Sequence, residues 1–287
     1  MSLLFDSFWR AAAYCLHPRV IMMSFLPLVL MAVFALVIGY FFWEPALDAV
    51  SAAIASWHLM AVFVQWLDGI GFSGLKAAIA PLVVVFVSTP VIVVVALLIV
   101  AALMTPSIVK LVANRRFPVL ERRHGGSLLA GTLGALGATL VALVALVLSI
   151  PLWFVPPLVL IVPPLIWGWL TYRVMTYDVL AEHASRDERQ ALVRRHRHSL
   201  FAIGVVCGYL GAAPSLVWVS GAMAVVLAPV LVPIAIWIYT LVFAFSALWF
   251  AHFALAALQA LRRESETAVP VHADALVLPS PPAEAVP

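Results

Sequence analysis

Residues 20–43 read VIMMSFLPLVLMAVFALVIGYFFW, twenty-four residues without a charged side chain. At about 1.5 Å per residue such a helix is long enough to cross a ~30 Å hydrocarbon core. A soluble helix shows an apolar stripe and a polar face, and this stretch has no polar face. It predicts a first membrane span ending near Trp43, Glu44 and Pro45, with Trp43 at an interface.

The charge pattern extends this reading to the rest of the chain. Of the 16 Lys and Arg residues, all but Lys76 fall into four clusters. These are Arg10 and Arg19; Lys110, Arg115, Arg116, Arg122 and Arg123; the run from Arg173 to Arg197; and Arg262 with Arg263. Short basic loops stay cytoplasmic while apolar segments cross, so four cytoplasmic contact points and cytoplasmic chain ends are expected. The chain is 65% hydrophobic and 10% charged, well outside the range of soluble domains. Its net charge of +3 sits beside membrane segments and does not indicate nucleic acid. Cys15 and Cys207 lack motif spacing, which argues against a disulfide framework or a zinc site.

Residues 2–17 place Leu4, Phe5, Phe8, Trp9, Ala12 and Leu16 on one helical face, with Asp6, Arg10 and His17 on another. This is the pattern of an amphipathic interfacial helix, and Pro18 favours a break after it. Residues 46–76 are milder and read as an extracytoplasmic amphipathic segment around Trp57 and Trp66. In the apolar run 77–109, Pro81, Pro90 and Pro106 are expected to divide the helix, leaving a best span near 84–108.

Residues 127–149 form an apolar helix with two small-residue stripes. One is Ala130, Gly134, Ala138 and Ala142; the other is Ser127, Gly131, Ala135 and Thr139. Small residues at this spacing let helix backbones approach closely in lipid, so Gly131, Gly134 and Ala138 are expected packing positions. The stretch PLWFVPPLVLIVPP (151–164), at the start of segment 151–176, has five prolines and cannot form one regular helix. Either a tight hairpin turn joins 127–149 to 157–176, or a re-entrant pair of half-helices dips in and returns.

In the polar loop 177–198, Ser185 and Glu188 have capping-box spacing and predict a helix through about 196. Asp178, Glu182 and His183 read as loop charge paired with nearby arginines, and no metal is assigned. The block 199–261 holds one histidine, His252, and no Asp, Glu, Lys or Arg; His252 is expected to be packed or at an interface. Gly204 and Gly208 stand at GxxxG spacing, another close-packing signal. Pro214, Pro229 and Pro233 divide the block into segments near 199–218, 219–236 and 237–261. The membrane domain is thus 1–262, and the Pro- and Ala-rich tail 263–287 is expected to be disordered and cytoplasmic.

No phosphate-binding GxxxxGK[ST] loop, HExxH, GxSxG or Cys/His cluster is present. No enzyme chemistry and no cofactor are therefore assigned. The expected spans lack the carboxylates that a proton relay or a cation site needs. An uncharged or anionic small solute suits this chemistry better, since broken-helix N-termini offer N–H groups to anions. Arg19 and the Ser24 hydroxyl are the candidate anion-facing side chains.

Several stretches resemble the family of CysZ-type sulfate permeases and etoposide-induced-protein domain proteins. HPRVIMMSFLPLVL (17–30) is similar to that family's opening pattern, with Pro18 and Pro27 in place. TPSIVKLVANRRFPVLE (105–121) and WGWLTYRVMTYDVLAEHAS (167–185) resemble later segments, as does the region of Gly204 and Pro214. The resemblance implies an all-α polytopic fold of long membrane helices plus proline-broken, partially penetrating helix pairs. It also implies a homo-oligomer in a bacterial-type inner membrane, with sulfate uptake in the permease members. Those members carry a Gly-Leu-Arg-Arg-type stretch after the first proline; here the positions hold Arg19, Val20, Ile21 and Met22. A permease for a small oxyanion without its own ATPase is one expectation. A non-transporting scaffold or membrane-shaping protein of the same fold is the other.

Overall fold

A computed structural model of the chain describes residues 2–57, 62, 73–211 and 227–268, and among them every regular element is helical. The helices are α1 (Ser2–Cys15), α2 (Pro18–Ser24), α3 (Leu26–Ser56), α4 (Ser73–Arg116), α5 (Leu128–Ser149), α6 (Pro156–Ala181), α7 (Arg186–Gly211) and α8 (Ala228–Ala268). A short 3₁₀ turn, Ile150–Phe154, joins α5 to α6. Five helical stretches are long and apolar enough to cross a membrane: Pro18–Ser56, Ala78–Arg116, Leu129–Phe154, Pro157–Ala181 and Val230–Thr267. Their outward surfaces are apolar too, with Leu36, Phe86 and Leu148 each more than 70% exposed. Large exposed apolar faces of this kind are rare on soluble monomers and match hydrocarbon. The chain is an all-α, multi-pass membrane protein.

Prolines divide the helices less than the sequence predicts. Helix α3 does not end at Trp43 but passes through Pro45 to Ser56. Helix α4 runs unbroken for 44 residues through Pro81, Pro90 and Pro106. Helix α8 carries Pro229 and Pro233 without a break at 236 and continues past 261 to Ala268, so the helix takes in the start of the expected tail. The reason lies in the solvent. A proline costs one helical hydrogen bond, but a full break in hydrocarbon leaves several backbone groups without partners. Breaks occur instead where a proline can open a new helix: Pro18 starts α2, Pro27 lies in the first turn of α3 and Pro156 starts α6. Of the two arrangements open for 151–164, the tight turn is the one formed, and Pro163 and Pro164 sit inside α6. Trp66, the segment 212–226 and the tail 269–287 lie outside the described residues.

The chain forms two compact units. One comprises Pro18–Met104 and Pro214–Leu241. Within it the Trp237 indole donates to Ser24 Oγ at 2.9 Å, and Phe25 stacks on the Trp237 ring at 5.4 Å. The other comprises Met1–His17, Thr105–Ala213 and Val242–Pro287. In this second unit α1 packs through Phe8 against Phe245 and Trp249, with Ser7 and Ala11 buried. The expected apolar face of α1 is therefore split: Phe8 turns inward, while Phe5 and Trp9 remain exposed.

Helices α6 and α7 of this unit pack at near-backbone contact. A side chain at Gly204 meets the Gly168 carbonyl, and one at Gly208 meets the Pro164 carbonyl at 3.0 Å. The Tyr209 hydroxyl donates to the Leu160 carbonyl at 3.0 Å. The C-terminal carbonyls of α6 are satisfied from a distant loop. The amides of His124, Gly125 and Gly126 donate to the Glu182, Ala184 and Ala181 carbonyls at 3.0–3.1 Å. His124 adopts a φ of 44°, and a Cβ at Gly125 collides with the Ala184 carbonyl, so the close approach requires glycine there.

Charge holds the same end together. The capping box forms as the sequence predicts: Ser185 N–H donates to Glu188 Oε2 at 2.8 Å, and Glu188 N–H donates to Ser185 Oγ at 3.2 Å. Glu188 also receives Arg123 Nη1 at 2.8 Å and Arg262 Nε at 2.9 Å. The largely buried Arg262 donates further to the Glu121 and His183 carbonyls at 2.8 and 2.7 Å. Helix α7 outlasts the predicted end near 196, but His196 breaks its helical dihedrals at φ −113° and ψ 19°. Glu182 pairs with Arg122 at 3.1 Å. His252 is fully buried between the Tyr14 ring edge and Arg116, whose Nη1 lies 3.2 Å from His252 Nδ1. Arg116 also pairs with Asp6 at 2.8 Å. Several basic residues read from sequence as orientation signals are thus also structural.

Two stability measurements follow from this packing. Gly204→Leu forces side-chain atoms into the α6 backbone and is expected to destabilise by about 1–3 kcal/mol or more. Gly134, where a Cβ meets nothing within 4 Å, is the contrast: Gly134→Ala stabilises by roughly 0.5–1 kcal/mol. Thermal unfolding in detergent reads both, and equal loss of stability in the two variants contradicts the packing described. Burial acts to raise the Glu188 carboxyl, but the Arg262 hydrogen bonds, the Ser185 amide and the Arg262 and Arg123 charges outweigh it and hold it below the ordinary glutamate range. A depressed folded value means that its stabilisation is complete above that range and is lost as pH falls through the folded value. Glu188→Gln is expected to cost roughly 3 kcal/mol at pH 7, the scale for breaking a buried pair. Unfolding followed from pH 7 to 3 should show the gap between wild type and variant closing at the acid end.

Candidate functional site: an arginine-lined cavity

A cavity of about 450 Å³ lies among α5, α6 and α7, within the second unit. Each helix contributes one face. From α5 come Gly131, Gly134 and Ala135, at positions i, i+3 and i+4. From α6 come Tyr172, Arg173, Thr176 and Tyr177, at i, i+1, i+4 and i+5, together with Asp178. From α7 come Arg189, Gln190, Val193 and Arg194, with the same spacing.

Tyr177 is the pillar of the site. Its ring occupies the space that Gly131 leaves, with Cε1 2.7 Å from where a Cβ would stand. Its hydroxyl donates to the Ser127 carbonyl at 3.0 Å, and the Arg189 guanidinium lies over its ring at 4.5 Å. Arg189 Nη1 also reaches the Gly125 carbonyl at 3.4 Å. Arg173 sits 6.0 Å above the Trp169 ring. Among the described residues, Arg173, Arg189, Arg194 and Asp178 take part in no ion pair. The Thr176 hydroxyl lines the cavity, is buried and has no hydrogen-bond partner. Three guanidinium groups against one carboxylate leave a net positive lining, and an orphan hydroxyl adds a donor. Guanidinium groups bind oxyanions through paired, charge-assisted hydrogen bonds, so the arrangement suits a tetrahedral or planar oxyanion.

The side chains singled out from sequence fall elsewhere or play other parts. Arg19 is exposed in the first turn of α2. Ser24 is fully buried, and its hydroxyl donates to the Ile21 carbonyl at 2.6 Å while accepting from Trp237. That hydroxyl is committed to the protein, and both residues lie in the other unit from the cavity. Gly131 and Gly134 line the cavity, Ala138 is buried, and Gly204 and Gly208 lie against α6. Arg173, Arg189 and Arg194 were missed as site residues because they sit inside a basic cluster that orientation alone explains. Polar residues at i, i+1, i+4 and i+5 on α6 (Tyr172, Arg173, Thr176, Tyr177) and at i, i+1 and i+5 on α7 (Arg189, Gln190, Arg194) were the available signal. Glu182 and His183, neighbours of the cavity helices, are occupied: Glu182 by Arg122, and the His183 carbonyl by Arg262. Burial lowers the His183 imidazole below its ordinary value, so it stays neutral at pH 7. Among the described residues no His, Cys, Asp and Glu cluster could hold a metal ion.

No curated protein and no solved structure matches the chain significantly. A family model does, described as sulfate transporter CysZ/etoposide-induced protein 2.4, over residues 7–220. The match runs from the middle of α1 through α7 and includes every residue lining the cavity. With three-quarters of its length matched, the chain belongs to the sulfate transporter CysZ/etoposide-induced protein 2.4 family.

Proposed function

We propose that this protein is a permease for a small oxyanion of the sulfate type, working without an ATPase of its own. The observation that carries the reading is the cavity, with Arg173, Arg189 and Arg194 around the unpartnered Thr176 hydroxyl. Such groups replace part of the hydration that an anion loses on leaving water, and they act more strongly where the surroundings are apolar. Arg19 is a second anion-facing cation at the start of α2, serving approach to the membrane and not the cavity itself. The basic clusters favour an inner (plasma) membrane setting with both chain ends cytoplasmic. Assembly as a homo-oligomer is part of the same proposal.

A second reading, a non-transporting scaffold, is favoured by α1. Its exposed Phe5 and Trp9, with Leu16 just after its end, give an apolar surface suited to the bilayer interface.

Radiolabelled sulfate uptake into phosphatidylcholine proteoliposomes separates the two. Wild type should exceed empty vesicles, Arg173→Ala/Arg194→Ala should lose about tenfold or more, and Arg19→Ala should lose less. Arg197→Ala, outside the cavity, should behave as wild type. Uptake no greater than in empty vesicles rejects the permease and leaves the scaffold.

A further inference from the structure

The cavity is large for a free oxyanion. At about 30 Å³ per water it has room for about fifteen water molecules, and pockets of roughly 300–1,000 Å³ ordinarily hold larger organic ligands. Its wall is only partly polar: Gly131, Gly134, Ala135, Val174 and Val193 contribute no hydrogen-bonding side chain. On the α5 side the surroundings are hydrocarbon-facing, since Leu133, Leu136 and Leu140 are each more than 60% exposed. Between these leucines the backbone is bare. Added Cβ atoms at Gly134 and Gly137 meet nothing within 4 Å, which leaves an open groove down the helix.

Depth agrees with this. Gly131 lies three residues into α5, about 5 Å along the axis from its polar start, and Arg189 and Arg194 lie in the first turns of α7. The guanidinium groups therefore stand at the end of the hairpin where the basic loops are, the level of lipid phosphates. Basic pockets between membrane helices on the cytoplasmic side commonly hold anionic headgroups.

The geometry points to a diacyl anionic phospholipid as a ligand of this cavity, its phosphate among Arg173, Arg189, Arg194 and Thr176 and an acyl chain in the Gly134–Gly137 groove of α5. This rests on reading the cavity as an anion site and adds a partner for it. The lipid phosphate and a free oxyanion compete for the same cations, so the surrounding bilayer regulates occupancy.

Native mass spectrometry of the full chain, delipidated in detergent, tests this with dioleoyl phosphatidylglycerol, dioleoyl phosphatidylcholine and sodium sulfate as probes. Wild type should retain phosphatidylglycerol at least fivefold over phosphatidylcholine, and sulfate should lower that retention. Arg173→Ala/Arg194→Ala should abolish the preference. Gly137→Leu puts a side chain into the groove at a position outside the cavity wall, where an added Cβ meets nothing within 4 Å, so it should fold as wild type by circular dichroism and lose the lipid while keeping sulfate. Equal retention of the two lipids by wild type overturns the proposal, as does full phosphatidylglycerol retention by folded Gly137→Leu. Loss of lipid preference only in the arginine variant, with Gly137→Leu unaffected, also overturns it, because the site then reads a free phosphate. Lipid preference with the expected variant losses, but no sulfate uptake in proteoliposomes, supports the lipid site and rejects only the permease.

Discussion

The Glu188 carboxylate is the constraint on which the polar end of the molecule depends. It closes the capping box that starts α7 and receives both Arg123 and Arg262. Arg262, from the far end of α8, in turn donates to carbonyls of the 117–127 loop and of the α6–α7 turn. Three separate pieces of chain, the 117–127 loop, the turn leading into α7 and the end of α8, thus meet at one carboxylate. Surface ion pairs contribute little on average, but this pair is mostly shielded, and removal of either partner strands a charge. The arginine cavity sits directly beside it, on the same first turns of α7. Arg189 bridges the two, with its head at the Gly125 carbonyl and its plane over Tyr177.

Elsewhere the solvent decides. In water, Pro81, Pro90 and Pro106 are reasonable helix breaks, because exposed backbone can bond to water. In hydrocarbon the alternative to a helix is worse than a helix with one bond missing. The long helices α4 and α8 therefore persist, 44 and 41 residues each. At 1.5 Å per residue both exceed twice the ~30 Å core, and no ordinary tilt contains them. Their basic ends, Arg115–Arg116 and Arg262–Arg263, belong to the parts that project.

How much of this was legible in the sequence varied with the interaction involved. Local signals were readable: the uncharged run 20–43, the N-terminal helix ended by Pro18 and the Ser185–Glu188 cap all depend on residues close in sequence, whereas the prolines of 151–164 left a tight turn and a re-entrant pair equally open. Helix continuity through proline was not, because propensity describes helices in water. The cavity was hidden for another reason. Arg173 belongs to one helix and Arg189 and Arg194 to the next, and only the α6–α7 pairing brings them to one space. A count of basic residues cannot separate those that orient a loop from those that line a hollow. Ser24 shows the converse: its hydroxyl fits an anion site by type, but Trp237, more than two hundred residues away, already occupies it.

The three amides of His124–Gly126, donating to the end of α6, bear on how the chain is made. Helix α5 begins two residues after those amides, while their acceptors follow it by more than thirty residues. During synthesis α5 therefore emerges before the carbonyls that anchor its entrance exist. Until residue 184 has left the ribosome, the start of α5 has nothing to fasten to, and the small-residue helix is held only by its own apolarity. The α5–α6 hairpin is consequently a unit of insertion as well as of packing, locked into register from the polar side once its second arm is complete.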